Sequence, residues 1–245
     1  MDDDPVVIER CKTGIKALDG RILAGGIPRG ALVLLTGSSG VGKTTLACQF
    51  LFNGATMFGE NGLLFTLTES VAQMKRYMGQ YSFYNENAVS EKKVQILDMR
   101  AIYRQMGMDR DQYTVSDMNA ILRIIDEVMG SYNIKRLVVD SITAMTFRMP
   151  DKEKIRDFVF RLGNIIFDHN AVALLTAEEA GGTRFYTEQG IEFICDGIVF
   201  MREREVGNTL LRTLQVVKMR GTPHMRNEHE MVITENGIEL TERTF

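Results

Sequence analysis

Cysteine and histidine are scarce in this sequence. Cys11, Cys48 and Cys195, with His169, His224 and His229, lie scattered through 245 residues. An odd cysteine count without metal-ligand spacing argues against a disulfide framework and against a zinc site. A long apolar run is missing too, so no membrane-spanning helix is expected. The first residues, Met1-Asp2-Asp3-Asp4, are acidic rather than basic, so no signal peptide is expected and the cytoplasm is the default location. The net charge is -3, so no global basic field draws in nucleic acid, and any such contact must be local. Internal repeats, low-complexity stretches and linkers are absent. One α/β domain over residues 1–245 is therefore the better reading.

What remains is the profile of a soluble globular chain, with 25% charged and 44% hydrophobic residues. Its centre is Gly37-Ser38-Ser39-Gly40-Val41-Gly42-Lys43-Thr44, the pattern G-x-x-x-x-G-K-T. The apolar run Leu32–Leu35 before it reads as a buried strand, and Thr45–Phe52 after it reads as a helix. That context marks a phosphate-binding P-loop. Gly40 and Gly42 permit backbone conformations that turn successive N–H groups inward. The following helix adds unpaired N–H groups and partial positive charge. Lys43 can reach β- and γ-phosphates, and Thr44 offers a hydroxyl to a hydrated magnesium ion.

Further strands are expected at 62–69, 94–98, 136–140 and 171–176. A helix over Val71–Tyr81 lies between the first two, and residues 82–93 read as irregular. Residues 99–115 read as a loop or short helix. Ser116 is a candidate cap for a helix carrying Met118, Ile121, Leu122, Ile125, Val128 and Met129 at helical spacing. Asp151 is the cap expected for a helix with Ile155, Phe158, Val159, Leu162 and Ile166 inward. This alternation predicts a parallel sheet with helices on both faces. After Gly190, strands at 197–200, 210–219 and 231–234 follow without helices. Glu235-Asn236-Gly237 reads as a hairpin turn, so antiparallel strands should extend the same sheet.

Three features outside the P-loop can carry chemistry. Asp140 ends an apolar strand, where an acid can hold magnesium through water; the alternative is an ordinary strand-end aspartate. Glu69 ends another strand, where a carboxylate can orient an attacking water; the alternative is a helix cap. Lys218 and Arg220 alternate, so on a strand they would share one face and could meet a phosphate; the alternative is a solvated strand edge.

Together these residues resemble the KaiC-like branch of the RecA superfamily, as a single-domain member. The resemblance rests on Thr13-Gly14-Ile15 with Leu18-Asp19, Gly25-Gly26-Ile27-Pro28, the P-loop and Thr68-Glu69-Ser70. It also rests on Val138-Val139-Asp140-Ser141 and Lys218-Met219-Arg220-Gly221-Thr222-Pro223-His224-Met225, and runs from about residue 11 to about residue 240. It implies a RecA-like P-loop core and a magnesium-dependent ATPase that assembles as a ring, commonly a hexamer, with ATP between subunits. Ser39, Gly40, Val41, Gly42, Lys43, Thr44, Thr45 and Glu69 would serve ATP from one side, with Thr44 and Asp140 at the metal. Lys218, Met219 and Arg220 would reach over from the neighbour, with Thr222 and His224 near the nucleoside. Thr234 and Glu235 stand where the family also touches nucleotide.

Several departures narrow what the resemblance carries. Thr68 replaces the first of the paired glutamates of KaiC. The clock protein's second domain and its phosphorylated serine and threonine have no counterpart. Ala177-Glu178-Glu179 lacks the glutamine that recombinases use there. The expected activity is that of a slow nucleotide-driven switch with an unnamed protein partner. One alternative is a recombinase paralogue binding single-stranded DNA through loops 146–153, with Arg148 and Lys152, and 178–190, with Arg184, Phe185 and Tyr186. Another is a non-hydrolysing module in which ATP joins subunits.

Overall fold

The computed structural model describes residues 8–99, 102, 115–148, 151–180 and 187–245. A strand buried on both faces must be apolar at every position, and the run before the P-loop is. It forms β3 (Leu32–Gly37), at the middle of a nine-stranded sheet. Two short strands precede it, β1 (Arg10–Cys11) and β2 (Ile27–Pro28), paired antiparallel in a separate ribbon. The other strands are β4 (Asn61–Thr66), β5 (Val94–Asp98), β6 (Ile134–Asp140), β7 (Val172–Glu178), β8 (Gly197–Val206), β9 (Thr209–Met219), β10 (Glu228–Thr234) and β11 (Gly237–Thr244). Their order in the large sheet is β11-β10-β9-β8-β3-β7-β6-β4-β5. Strands β3 to β8 run parallel, and β9 to β11 are antiparallel. The sequence predicts a parallel core with an antiparallel tail, but β8, expected in that tail, runs parallel to β3, and the antiparallel part begins at β9.

Alternate side chains of each strand point to opposite faces, and each face has its own core. Val33 and Leu35, with Leu64, Val138 and Leu174, pack under α1 (Lys43–Met57). Leu32 and Leu34, with Phe65, Leu137 and Val139, pack under α4 (Val115–Ser131), α5 (Ile142–Arg148) and α6 (Lys152–Asp168). Two further helices, α2 (Val71–Met78) and α3 (Glu86–Ser90), lie between β4 and β5 in sequence.

Helix α1 is buried on every side, from Thr45 to Ala55. Its polar side chains are therefore hydrogen-bonded. Gln49 bonds the backbone of Ile238, and Asn53 Nδ2 donates to the carbonyl of Thr13 at 3.3 Å. The Asp19 carboxylate accepts from Thr13 N (2.7 Å), Thr13 Oγ1 (2.8 Å) and Gly14 N (2.8 Å). A Cβ on Gly14 would sit 2.5 Å from Asn53 Nδ2. The T-G-I…L-D pattern thus clamps the early chain onto α1.

The end of α1 meets a buried ion cluster. Arg136 is fully buried; its Nε donates to Glu60 Oε2 at 2.7 Å and its guanidinium lies 4.6 Å from the Phe50 ring centre. Arg29 also pairs with Glu60. Cys11 is 3.7 Å from the same carboxylate, and burial pushes its thiol up to about 12. All three cysteines are free and buried, so they behave as small apolar side chains.

Several boundaries differ from expectation. Ser116 lies inside α4 rather than capping it, since the helix already includes Val115. Residues 82–93 contain α3, capped by Asn85, whose side chain accepts from Ala88 N. Helix α5 is additional. Strand β8 continues beyond its apolar part, because Arg202–Val206 pair with β9 in a solvated arm. Asp151 caps α6 as expected, accepting from Glu153 N at 3.0 Å, and the five apolar residues expected inward are buried. Most of 99–115 lies outside the described residues.

Candidate nucleotide-binding site

The loop between β3 and α1 holds Gly40 at φ +78° and Gly42 at φ +109°. Side chains other than hydrogen rarely adopt such angles. A Cβ on Gly40 would meet nothing within 4 Å, so the loop is open there. Lys43 Nζ donates to the carbonyls of Gly37 (2.8 Å) and Ser38 (2.7 Å), folding back over its own loop. Burial lowers the pKa of Lys43, against the raising effect of Glu178, Asp140 and Glu179 nearby. Ser39 is exposed at the loop's crest, while Val41 and Thr45 are buried beneath it.

Thr44 Oγ1 donates to Asp140 Oδ2 at 2.9 Å. The other carboxylate oxygen of Asp140 accepts from Thr176. Asp140 is buried at the end of β6, and Thr176 sits on the neighbouring β7. A hydroxyl and a carboxylate meeting beside the phosphate loop fit the oxygen donors that magnesium requires.

Glu69 does not end a strand. β4 stops at Thr66, and Glu69 lies in the bend that follows. Thr66 Oγ1 accepts from Glu69 N at 3.1 Å and fixes that bend. Ser70, not Glu69, caps α2, in a capping box with Gln73. Thr66 aligns with Asp140 across the β4–β6 pair and Leu67 N donates to the Asp140 carbonyl at 2.8 Å, so the bend that carries Glu69 leaves the sheet at the same end as Asp140.

The hairpin turn also stands at the P-loop side. A Cβ on Gly42 would meet Ile233 Cδ1 at 2.9 Å. Thr234 Oγ1 donates to Glu239 Oε1 at 2.8 Å, and the Glu235 carbonyl accepts from Ser82 N.

Lys218 and Arg220 do not join this group within the chain. Val33 aligns with Gly197 and Gly197 with Met219, whereas Gly37 aligns with Met201. The two clusters are thus separated by four residues of strand, on the order of 13 Å at about 3.3 Å per residue. β9 ends at Met219, so Arg220 lies just beyond the strand on which the alternation argument places it. Both cations still reach one segment. Lys218 Nζ donates to the Cys195 carbonyl at 2.6 Å, and Arg220 pairs with Asp196 at 3.1 Å. Burial, then the adjacent Arg220, lowers the Lys218 pKa. Thr222 Oγ1 accepts from Arg10 at 2.8 Å, and His224 Nδ1 lies 3.0 Å from the Thr222 carbonyl. The buried His224 Nε2 has no hydrogen-bond partner among the described residues.

Sequence reasoning missed Thr176 and Arg10. Thr176 carries only the weak signal of a hydroxyl at a strand end. Arg10 carries none, being 212 residues from its partner. Of the candidate DNA loops, Arg184, Phe185 and Tyr186 lie outside the described residues, as does the side chain of Arg148. Lys152 opens α6.

A glycine-rich loop between a central parallel strand and a buried helix, with a threonine and a strand-end aspartate beside it, defines a P-loop nucleotide-binding protein. The chain belongs to the KaiC ATPase family of the RecA superfamily, whose family model matches residues 11–244. It is 33% identical to the UPF0273 protein MJ1359 of Methanocaldococcus jannaschii over 234 residues, covering 94% of this chain and 96% of that one. It is 30% identical to the circadian clock oscillator protein KaiC of Parathermosynechococcus lividus, covering 95% of this chain but 42% of that protein. The crystal structure of KaiC-like protein PH0186 from Pyrococcus horikoshii superposes with a TM-score of 0.82 at 32% identity, covering 96% of this chain and all of the other.

Proposed function

We propose that this chain, as one ATPase domain, assembles into a homo-oligomeric ring, hexameric by analogy with the family, that hydrolyses ATP slowly in the cytoplasm and acts as a nucleotide-driven switch. The observation that carries the reading is the placement of Lys43, Thr44, Asp140 and Glu69 at one end of the sheet and of Lys218 and Arg220 at the other. Each cluster is half a site. A ring that repeats the subunit head to tail joins the two halves at every interface.

In that arrangement Lys43 leaves its loop carbonyls and meets the β- and γ-phosphates. Thr44 and Asp140 would hold magnesium, which would supply positive charge against the phosphate oxygens. Glu69 orients a water in line with the γ-phosphate and draws off its proton. Arg220 of the neighbour turns from Asp196 to the γ-phosphate, and Lys218 joins it from above Cys195. Thr222 and His224, held together by the Nδ1 contact, border the nucleoside. Thr234 and Glu235 border the nucleotide from the P-loop side.

Measurement of mass with and without ATP and magnesium, beside a phosphate-release assay, tests the reading. Assembly with turnover supports it. A monomer that hydrolyses ATP at the same rate at every dilution overturns the interface site. A ring without turnover overturns the enzyme and leaves an assembly module.

A further inference from the structure

A groove of about 970 Å³ opens beside α1, and none of residues 37–45 lines it. Its walls are the second half of α1, the residues around Phe83, the segment from Gly14 to Arg21, and β11. β11 ends the nine-stranded sheet, so its outer edge has no neighbouring strand among the described residues. Ile238 and Leu240 line the groove from one face of β11, and Glu239 and Thr241 from the other. The groove therefore wraps the strand's free edge.

The ladder shows which backbone groups point into it. Ile238 N donates to Gln49 Oε1 at 2.7 Å, and Gln49 Nε2 donates to the Ile238 carbonyl at 3.3 Å. The amide of Gln49 thus fills the place that one residue of a tenth strand would take. Ile238 lies opposite Ile233, so that pair does not bond across the ladder. Antiparallel pairs alternate, so Leu240, two residues on and opposite Met231, also turns its N–H and C=O outward. Nothing among the described residues occupies them. Exposed edge groups of this kind are the template for strand addition.

Charge and apolar surface narrow the occupant. Lys16 and Arg21 stand exposed in the wall, and neither has a hydrogen bond or ion pair among the described residues. Glu239, the acid in the lining, is engaged by Thr234 and Asn236. With two cations against one carboxylate, the lining of the groove is net positive. Ile15, Phe83 and Leu240 supply apolar floor, and Met57, 59% exposed, stands at its edge.

We propose that this groove docks an extended acidic peptide segment of another protein, added antiparallel or parallel to β11 as a tenth strand. Main-chain bonds to Leu240 hold it, alternate apolar side chains rest on the floor, and the intervening carboxylates meet Lys16 and Arg21. The proposal goes beyond the nucleotide reading and does not depend on ring assembly.

The test uses the full chain and a fluorescein-labelled Glu-Val-Glu-Ile-Glu-Val-Glu-Val peptide, read by anisotropy with and without ATP. Expected is saturable binding, weakened at least tenfold in Lys16→Glu and Arg21→Glu while ATP binding is unchanged. Two further peptides carry N-methyl groups on all glutamates or on all apolar residues. Only one set of N–H groups faces β11, so one methylated peptide should lose at least tenfold and the other should bind as the parent does. Equal behaviour of the two overturns backbone pairing. So does equal binding of a peptide with lysine in place of every glutamate. Loss of self-assembly in the charge-reversed chains, with peptide binding intact, gives the groove to a second copy and overturns the proposal.

Discussion

The Thr44 hydroxyl donates to the Asp140 carboxylate at 2.9 Å across 96 residues of sequence. This bond joins the start of α1 to the end of β6, two of the most buried elements of the fold. It places the two residues proposed to hold magnesium side by side. Preorganisation of this kind lowers the cost of binding, because ordering is already complete.

The first prediction concerns the two half-sites. Lys43→Ala removes the P-loop's full positive charge and should weaken ATP binding more than tenfold, since a charge-assisted bond is worth about 1.5–3 kcal/mol. Arg220→Ala should retain nucleotide and lose turnover by roughly 10³-fold or more, as an arginine finger does. Mixed in one ring, the two dead chains should partly recover phosphate release. A mixture that stays dead in verified mixed rings refutes action across an interface.

Glu69→Gln should bind ATP like the parent and lose turnover by about 10²-fold or more, because an amide keeps the shape but does not accept a proton. Single-turnover phosphate release is the measurement. Unchanged hydrolysis would transfer the role to Glu178, at the end of β7, whose charge acts on Lys43.

Gly54→Ala should destabilise the chain although alanine favours helix. A Cβ at residue 54 would lie 2.3 Å from Arg136 Cδ. The propensity gain is about 1 kcal/mol. Overpacking costs about 1–3 kcal/mol, and loosening a buried ion pair up to about 3–5 kcal/mol. Loss should win, by about 2 kcal/mol or more, and appear as a lower denaturant midpoint. A raised midpoint would mean that Arg136 moves aside freely.

Glu228 gives a pH signature. Hydrogen bonds from Arg202, foremost, and Thr213 hold its carboxyl down to about 2, below its ordinary 4.5. A lowered folded pKa adds stability that is fully present above 4.5 and is lost as pH falls towards 2. Glu228→Gln should therefore be less stable than the parent at pH 7. The difference should shrink below pH 4.5 and vanish near pH 2. Denaturation midpoints of both chains across that range decide it, and a pH-independent gap would contradict the linkage.

Most of the sheet was legible because buried parallel strands leave uninterrupted apolar runs, as at Leu32–Leu35 and Leu137–Val139. The P-loop was legible because its chemistry is contiguous. Arg202–Val206 escaped notice as strand because a solvated arm needs no apolar residues. α3 escaped because five residues are too few to show a period. The fully buried Arg136 could not be told from a surface arginine, since its partner Glu60 lies 76 residues away. Thr176 and Arg10 were hidden for the same reason: pairing across the fold leaves no local pattern.

The first turns of α1 that follow the phosphate loop, from Thr45 to Phe52, are buried in the core. A close-packed rod has no direction in which to slide without opening a void or forcing a clash. The phosphate loop at its start is therefore an anvil rather than a lever. In the proposed switch, movement with nucleotide is therefore expected in exposed parts such as Arg220 in its turn rather than in α1.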